Sequence, residues 1–193
     1  MRVPMTYPPW VVLHVPHDSA VVPAELRGQF LLDDAALKRE LDLMTDHRTL
    51  AIFSEPSSRA AVVRAPVSRL VVDVERFPED ADEPMADRGM GAVYTTTSQL
   101  APLRRHLGPA GREALMQAYY HPHHKLLEAA VEAAIEHHGR CLVIDCHSFP
   151  NEALPYERAD ASITRPDICI GTDDFHTDPT LAEAFVAAFG QAG

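Results

Sequence analysis

The sequence predicts an α/β fold, a three-layer sandwich around a mostly parallel sheet, from two observations. Short apolar runs rich in β-branched residues alternate along the chain with longer segments of helical periodicity. The short runs are nearly continuously apolar, which is typical of strands that helices cover on both faces. Because 193 residues, 46% of them hydrophobic, suit one hydrophobic core, we expect a single domain over residues 1–193.

Five segments have the pattern of strands. They are WVVLHVP (10–16), AAVVRAP (60–66), RLVVDVER (69–76), the run that begins CLVID (141–145) and DICIGT (167–172). The acidic, proline-containing segment 77–94 lies between the third and fourth strands and has no periodicity. It is predicted to be a long irregular loop, which in a compact domain is more often functional than idle.

Helical periodicity occupies the intervals between these strands. Cap-type aspartates and the spacing of Leu37, Leu41, Met44 and Ile52 predict a helix over about Asp34 to Phe53. The segment TSQLAPLRRHL predicts a short helix with Leu100, Leu103 and Leu107 facing inward, and residues 113–139 predict a longer helix that Pro122 kinks and Gly139 ends. A last helix is expected after Asp178 as cap and Pro179 as first residue.

Composition excludes some classes of function. A formal net charge of −11 without a basic stripe opposes nucleic-acid binding, since affinity for phosphate comes from clustered Lys and Arg. Prolines interrupt the N-terminal apolar residues too often for a signal sequence or membrane span, so we expect no membrane partner and a cytoplasmic location. The three cysteines lie in or beside strand-like runs and are expected to be buried free thiols.

Polar residues follow the apolar runs where the predicted strands end. In open α/β sheets, ligands bind outside the carboxyl ends of the strands. The residues at these ends are His17, then Asp73, Glu75 and Arg76, and then Asp145, His147 and Ser148. Two histidines with carboxylates nearby fit a three-ligand zinc site with one position open for water. The alternative for each histidine is a hydrogen-bonded loop residue.

Other histidines and Ser148 have less specific interpretations. His14 lies inside the first strand and is expected to be a satisfied core histidine or one that orients a ligand. The cluster HPHHK offers only the weak pair His121 and His124 and is expected on a helix surface or a wall of the site. Ser148 lacks the G-x-S-x-G context of a hydrolase nucleophile, so a serine hydrolase is not favoured.

Six segments in order carry a resemblance to a known family. They are LHVPHDSAVVP, LKRELDLMTDHRTLAIF, SRLVVDVERFPEDADEPMADRGMGAVY, YYHPHHKLLE, LVIDCHSFP and DICIGTDDFHT. Together they resemble the N-formylglutamate amidohydrolase family over nearly the whole chain. The resemblance implies a zinc-dependent amide hydrolase of phosphorylase/hydrolase-like fold, related to zinc carboxypeptidases and succinylglutamate desuccinylase. Its reaction releases formate and glutamate from N-formyl-L-glutamate in histidine breakdown.

The resemblance also implies roles for particular residues. His17 and His147 match the histidines expected to hold zinc, and Asp46 of MTDH is the expected carboxylate ligand, with a solvated helix residue as the alternative. Asp145 and Ser148 are expected to contact the ligands rather than the metal ion itself, and Asp145 would orient a ligand or a loop.

Three arginines are candidates for binding the anionic N-acyl amino acid. Arg69 and Arg76 would receive its carboxylates, because a guanidinium fork matches a carboxylate bidentately. Their alternative is an internal ion pair with Asp73 or Glu75. Arg88 is the third candidate, for anion contact or for closing the site.

Two features depart from the family. Glu75 stands where the family more often has Asn, which makes the substrate less certain than the metal chemistry. We also expect the chain to lack a C-terminal portion, with the general-base Glu beyond Gly193. The alternatives are a non-catalytic metal- and substrate-binding module, or a zinc hydrolase of another N-acyl amino acid or a peptide.

Overall fold

The structure is a computed structural model that describes residues 7–54, 58–157 and 164–192. The chain divides into two compact units. The first contains Met1–Pro150 and Leu154–Tyr156, and the second contains Asn151–Ala153 and Glu157–Gly193. Within the described ranges, none of the helices is both long and apolar enough to cross a membrane.

A parallel sheet forms the centre of the first unit. In the described residues it has three strands, β1 (Val11–Val15), β2 (Ala61–Arg64) and β3 (Leu142–Asp145), in the order β2-β1-β3. Both neighbours run parallel to β1, and Leu13 lies opposite Val62 on one side and Ile144 on the other. The parallel α/β architecture expected from the sequence is confirmed. All five residues of β1 are buried, which explains its unbroken apolar character.

Helices cover both faces of this sheet. On one face Val11, Leu13 and Val15 share a hydrophobic cluster with Leu50 and Phe53, which belong to the short helix α2 (Thr49–Phe53). On the other face α4 (His121–His138) lies against β1 and β2. A larger cluster around Leu70, Met90 and Tyr94 forms the core beneath the long loops.

The expected helix over residues 34–53 is broken, and this break matters for the site. The structure has α1 (Asp34–Met44), capped by Asp33, and then α2, with Thr45 to Arg48 between them. Thr45 leaves the helical path in an extended conformation (φ −89°, ψ 131°), and Arg48, with a positive φ of 63°, precedes α2. The Asp46 N–H donates to the His17 carbonyl at 2.9 Å, so the break fastens this segment to the end of β1.

Two of the five predicted strands are absent from the described residues. Residues 69–76 form buried turns: the Val71 N–H donates to the Ser68 carbonyl at 2.8 Å, and the Asp73 N–H donates to the Ala92 carbonyl at 2.8 Å. Residues 69–76 are apolar because they are buried in the core beneath the loops, not because they pair as a strand. Amino-acid composition does not distinguish a buried turn from a buried strand. Residues 167–172 are irregular and Ile168 is 51% exposed, so no core demands a strand there.

The expectation of three buried thiols is wrong for two of the cysteines. Cys146 is buried, Cys141 is half-buried and Cys169 is exposed. Cys169 belongs to the same irregular segment as Ile168, so its exposure follows from the missing strand. All three are free thiols, as expected.

The remaining helices agree with the sequence in part. The helix expected over 97–107 is absent: Leu100 has φ 61° and is 42% exposed, while isolated bridges join Thr96 to Pro102 and Phe30 to Arg104. Regular structure begins with α3 (Gly108–Leu115), passes through a π-helical turn (Met116–Tyr120) before Pro122, and continues as α4. Gly139 ends α4 with φ 69°, and α5 (Pro179–Ala192) starts after Asp178.

Candidate metal centre

Three chain segments bring His17, Asp46 and His147 together at the carboxyl end of the sheet. His17 follows β1, Asp46 lies in the break between α1 and α2, and His147 follows β3. Each of the three offers one ligand atom, and these atoms lie within 4.8 Å of one another. His147 Nδ1 is 2.8 Å and His17 Nδ1 is 3.9 Å from Asp46 Oδ2. The three residues expected as ligands are therefore neighbours.

The state of His17 Nδ1 tests whether this cluster fits a metal. Only 1% of the His17 side chain is exposed, and Nδ1 has no hydrogen-bond partner among the described residues. A buried polar atom without a partner costs free energy unless something else satisfies it. Two imidazoles and a carboxylate are the donor types that bind zinc in catalytic sites. The donors present fit a divalent metal ion.

Asp73 fixes the orientation of His17. Its Oδ1 lies 2.8 Å from His17 Nε2, so this nitrogen donates to the carboxylate and Nδ1 faces the centre. Asp73 is fully buried, and its Oδ2 accepts from Arg69 Nη2 at 2.8 Å and from the Tyr94 hydroxyl. Burial would raise the pKa of Asp73, but the charges of His17, Arg69 and Arg76 hold it well below its usual value. The carboxylate is therefore anionic and supports the proposed ligand.

Arg69 and Arg76 both lie beside Asp73 but differ in their environments. Arg69 is 9% exposed and also donates to the Tyr94 hydroxyl at 3.1 Å, so the internal ion pair left open by the sequence is present. Arg69 Nη1 lies 3.8 Å from Asp46 Oδ1. The Arg76 side chain is 22% exposed, and its contacts with Asp73 and Glu83 are both at 3.6 Å. Arg76 is thus the less tightly engaged of the two guanidinium groups.

The side chains of Arg88 and Ser148 each donate a hydrogen bond to a backbone carbonyl. Arg88 Nη1 donates to the Tyr156 carbonyl at 3.0 Å. The Ser148 hydroxyl donates to the His47 carbonyl at 2.9 Å, which ties the segment after β3 to the segment that carries Asp46. Through this bond Ser148 positions the backbone of the segments that carry His147 and Asp46.

Glu75 occupies the space between the two histidines. Its Oε2 is 3.2 Å from His17 Nδ1, and its Oε1 is 3.0 Å from His147 Nε2. Burial would lower the pKa of His147, but hydrogen bonds with Asp145, Asp46 and Glu75 raise it to about 12. The surroundings of these imidazoles are strongly negative and favour a cation.

Further from the centre, Asp145 connects to a buried histidine pair. Its Oδ1 is 2.8 Å from His14 Nδ1, and His14 Nε2 is 2.8 Å from His123 Nε2. His14 is buried and hydrogen-bonded, in line with the sequence expectation. His123 is 2% exposed and packs as a buried wall beside His14, which is the second of the two placements expected for the HPHHK cluster.

Sequence reasoning missed three parts of this arrangement. The sequence places Asp73 and Glu75 among the polar residues at strand ends, but it assigns neither of them a contact with a histidine. The structure shows that both reach histidines. Nothing in the sequence separates His123 from its neighbours in HPHHK, because its burial depends on where α4 crosses β1.

Comparisons with known proteins agree with this architecture. A family model described as N-formylglutamate amidohydrolase matches residues 10–193. A crystal structure of N-formylglutamate amidohydrolase from Ralstonia eutropha JMP134 has a TM-score of 0.63 at 21% identity, over 74% of this chain and 54% of that one. A gene product from Agrobacterium tumefaciens has a TM-score of 0.67 at 26% identity, over 92% of this chain and 64% of that one.

The chain matches only part of the length of each solved structure. The chain spans 54% and 64% of the lengths of the two solved structures. At 21% identity, the Ralstonia structure supports the fold alone. No curated protein gives a significant match.

Proposed function

Because the chain belongs to the N-formylglutamate amidohydrolase family, we propose that it hydrolyses the amide bond of N-formyl-L-glutamate or a similar anionic N-acyl amino acid. The proposed cofactor is zinc, held by His17, Asp46 and His147. The observation that carries this proposal is the convergence of two imidazoles and a carboxylate from separate segments, with His17 Nδ1 buried and without a hydrogen bond among the described residues. When bound, zinc would polarise the amide carbonyl and lower the pKa of a water molecule.

The chain's own residues would prepare this site for zinc. Asp73 accepts the Nε2 proton of His17 and so leaves the Nδ1 lone pair for the ion. The backbone bond from Asp46 to His17 and the Ser148 bond to His47 keep the segments in register. These contacts would limit ligand motion, and preorganisation of this kind lowers the cost of binding and of reaction.

Arg76 is the proposed binding group for a substrate carboxylate. Its guanidinium is partly exposed, and Nε lacks a hydrogen-bond partner among the described residues. The exposed part of this guanidinium could donate hydrogen bonds to a substrate carboxylate. Arg69, held by Asp73 and Tyr94, would contribute its charge to the same region. A substrate role for Arg88 and a Glu beyond Gly193 as general base stay predictions.

The test is zinc-dependent formate release from N-formyl-L-glutamate, with N-formyl-L-leucine as the matched substrate that lacks the side-chain carboxylate. We expect formate only from metal-loaded protein, and faster release from the glutamate derivative. Equal rates for both substrates would favour a hydrolase of other N-acyl amino acids. Zinc binding without formate release would favour a non-catalytic binding module, and absence of zinc binding would contradict the proposal.

A further inference from the structure

Glu75 does not belong to the three-residue centre, yet it touches both of its histidines. Its two carboxylate oxygens face different imidazoles: Oε2 is 3.2 Å from His17 Nδ1, and Oε1 is 3.0 Å from His147 Nε2. The side chain is 23% exposed. A carboxylate placed in this way has the bidentate reach that bridges two cations in two-metal hydrolase sites.

Glu75 also belongs to a second group of possible metal donors. His14, Glu75 and Asp145 each offer one ligand atom, and these atoms lie within 4.8 Å of one another. Asp145 Oδ1 is 2.8 Å from His14 Nδ1 and 3.6 Å from His147 Nε2. The Asp145 side chain is 50% exposed, which leaves a path from solvent. The donors again comprise imidazole and carboxylates, the types that bind zinc or manganese.

The second nitrogen of His14 is held as that of a metal ligand commonly is. His14 Nε2 is 2.8 Å from His123 Nε2, and both rings are buried. Without a cation, His14 Nδ1 donates to Asp145 and Nε2 accepts from His123. A cation between His14 Nδ1 and Asp145 would replace the Nδ1 proton, and Nε2 would then donate to His123. Asp73 holds His17 in the same manner, through Nε2, with Nδ1 facing the centre.

The charge balance also calls for more than one cation. Arg69 and Arg76 both lie within 4 Å of Asp73. Among the described residues, the ion-pair partners of Glu75 and Asp145 are histidines alone. One divalent ion in the first centre would balance the charges of Asp46 and Glu75, and Asp145 would remain without a permanent positive partner. Like charges held this closely repel unless a cation lies between them.

We propose that His14, Glu75 and Asp145 form a second divalent-cation site, which shares the Glu75 carboxylate with the centre of His17, Asp46 and His147. The inference rests on the metal centre proposed above. Glu75 is the bridge, His14 and Asp145 complete the second set, and His123 orients His14. The ion it takes is a zinc- or manganese-type divalent cation.

The test counts metal ions directly. Protein stripped by a chelator is titrated with Zn²⁺ by calorimetry and analysed for bound metal after desalting. Wild type is expected to bind two equivalents. Asp145→Asn, which is nearly isosteric, is expected to weaken the second at least tenfold and keep one, whereas Glu75→Gln, which alters the shared carboxylate, is expected to weaken the second at least tenfold and the first as well. Glu79→Gln, in the exposed loop after Arg76, is the matched control and should bind two. Loaded with Mn²⁺, wild type should give a spin-coupled spectrum that Asp145→Asn lacks.

The outcomes separate this inference from the proposed function. One equivalent in wild type that Asp46→Ala removes would overturn the second site and leave the first centre in place. No equivalent in wild type would overturn both. Two equivalents that persist at full affinity in Glu75→Gln and Asp145→Asn, with circular dichroism showing folded variants, would overturn the assignment of the second ion to these residues.

Discussion

Replacing Asp73 by Asn is predicted to destabilise the protein strongly and to weaken zinc binding as well. Asp73 is fully buried and accepts from Arg69, Tyr94 and His17, with the Glu75 N–H as a fourth donor at 3.0 Å. Asn has the same shape but replaces one acceptor oxygen by an amide group that donates. At least two of these donors would therefore lose their acceptor, and the charge of Arg69 would stay buried without its partner.

The size of the effect follows from these contacts. Removing one partner of a buried ion pair costs about 3–5 kcal/mol, because the remaining charge is uncompensated. For a chain of this length that corresponds to a fall in Tm of roughly 10 °C. His17 would also lose the carboxylate that fixes its ring, and loss of such a partner lowers metal affinity about 10–100-fold.

Urea unfolding of chelator-treated protein measures the stability term, and zinc titration of the folded variant measures the second effect. Tyr94→Phe is the matched control, because it removes one hydrogen bond to Asp73 without removing charge, and it should cost only about 1–2 kcal/mol. A free energy of unfolding for Asp73→Asn within about 1 kcal/mol of wild type would refute the reasoning that this carboxylate organises the site.

Three further predictions test separate parts of the molecule. Arg76→Lys should weaken binding of glutamate-like ligands by about 1.5–3 kcal/mol in calorimetry without changing zinc content, since Lys keeps the charge but loses the fork; unchanged affinity would assign Arg76 to internal pairing. Asp46→Ala should abolish tight zinc binding in a competition assay with a chromophoric chelator, whereas Asp42→Ala, on the exposed face of α1 and paired with Lys38, should not; equal affinities would place the carboxylate ligand elsewhere. Burial, with the nearby histidines, lowers the pKa of His123 to about 4. As the pH falls below about 6.5, the unfolded chain therefore binds a proton at this residue before the folded chain does, and the folded state loses stability. In urea titrations the free energy of unfolding of metal-free wild type should fall by roughly 2 kcal/mol more between pH 7 and pH 5 than that of His123→Gln.

The sequence predicted the parts of the fold that local patterns determine. β1, β2 and β3 are short apolar runs between polar ends, and each forms a strand in the structure. Gly139 and Pro179 mark helix boundaries as expected, because their backbone preferences act locally.

The errors arise where tertiary contacts override local patterns. The run at residues 69–76 is as apolar as a strand, but its hydrogen bonds go to Ser68 and Ala92 within loops, and no pattern in the sequence encodes that choice. The helix over 34–53 breaks because Asp46 bonds to the end of β1. The helical spacing of apolar residues continues through the break, so the sequence pattern does not reveal that the helix stops there.

The site was predictable in outline and not in detail. His17 and His147 stand at strand ends, and the resemblance supplied Asp46; the structure brings these three together. The contacts of Asp73 and Glu75 with histidines depend on turns in residues 69–76, whose prediction as a strand gave the wrong directions for the side chains. The internal ion pair of Arg69 with Asp73, one of the alternatives that the sequence leaves open, is present.

The measurement that tests the central claim most directly is zinc titration of chelator-stripped protein carrying His17→Ala, His147→Ala or, as the control, His138→Ala on the exposed end of α4. Wild type and the control are expected to bind zinc tightly, and His17→Ala and His147→Ala are each expected to lose the tight equivalent, because two ligands do not hold the ion. Unchanged tight binding in both site variants, with all proteins folded by circular dichroism, would contradict the claim that these residues form the metal centre.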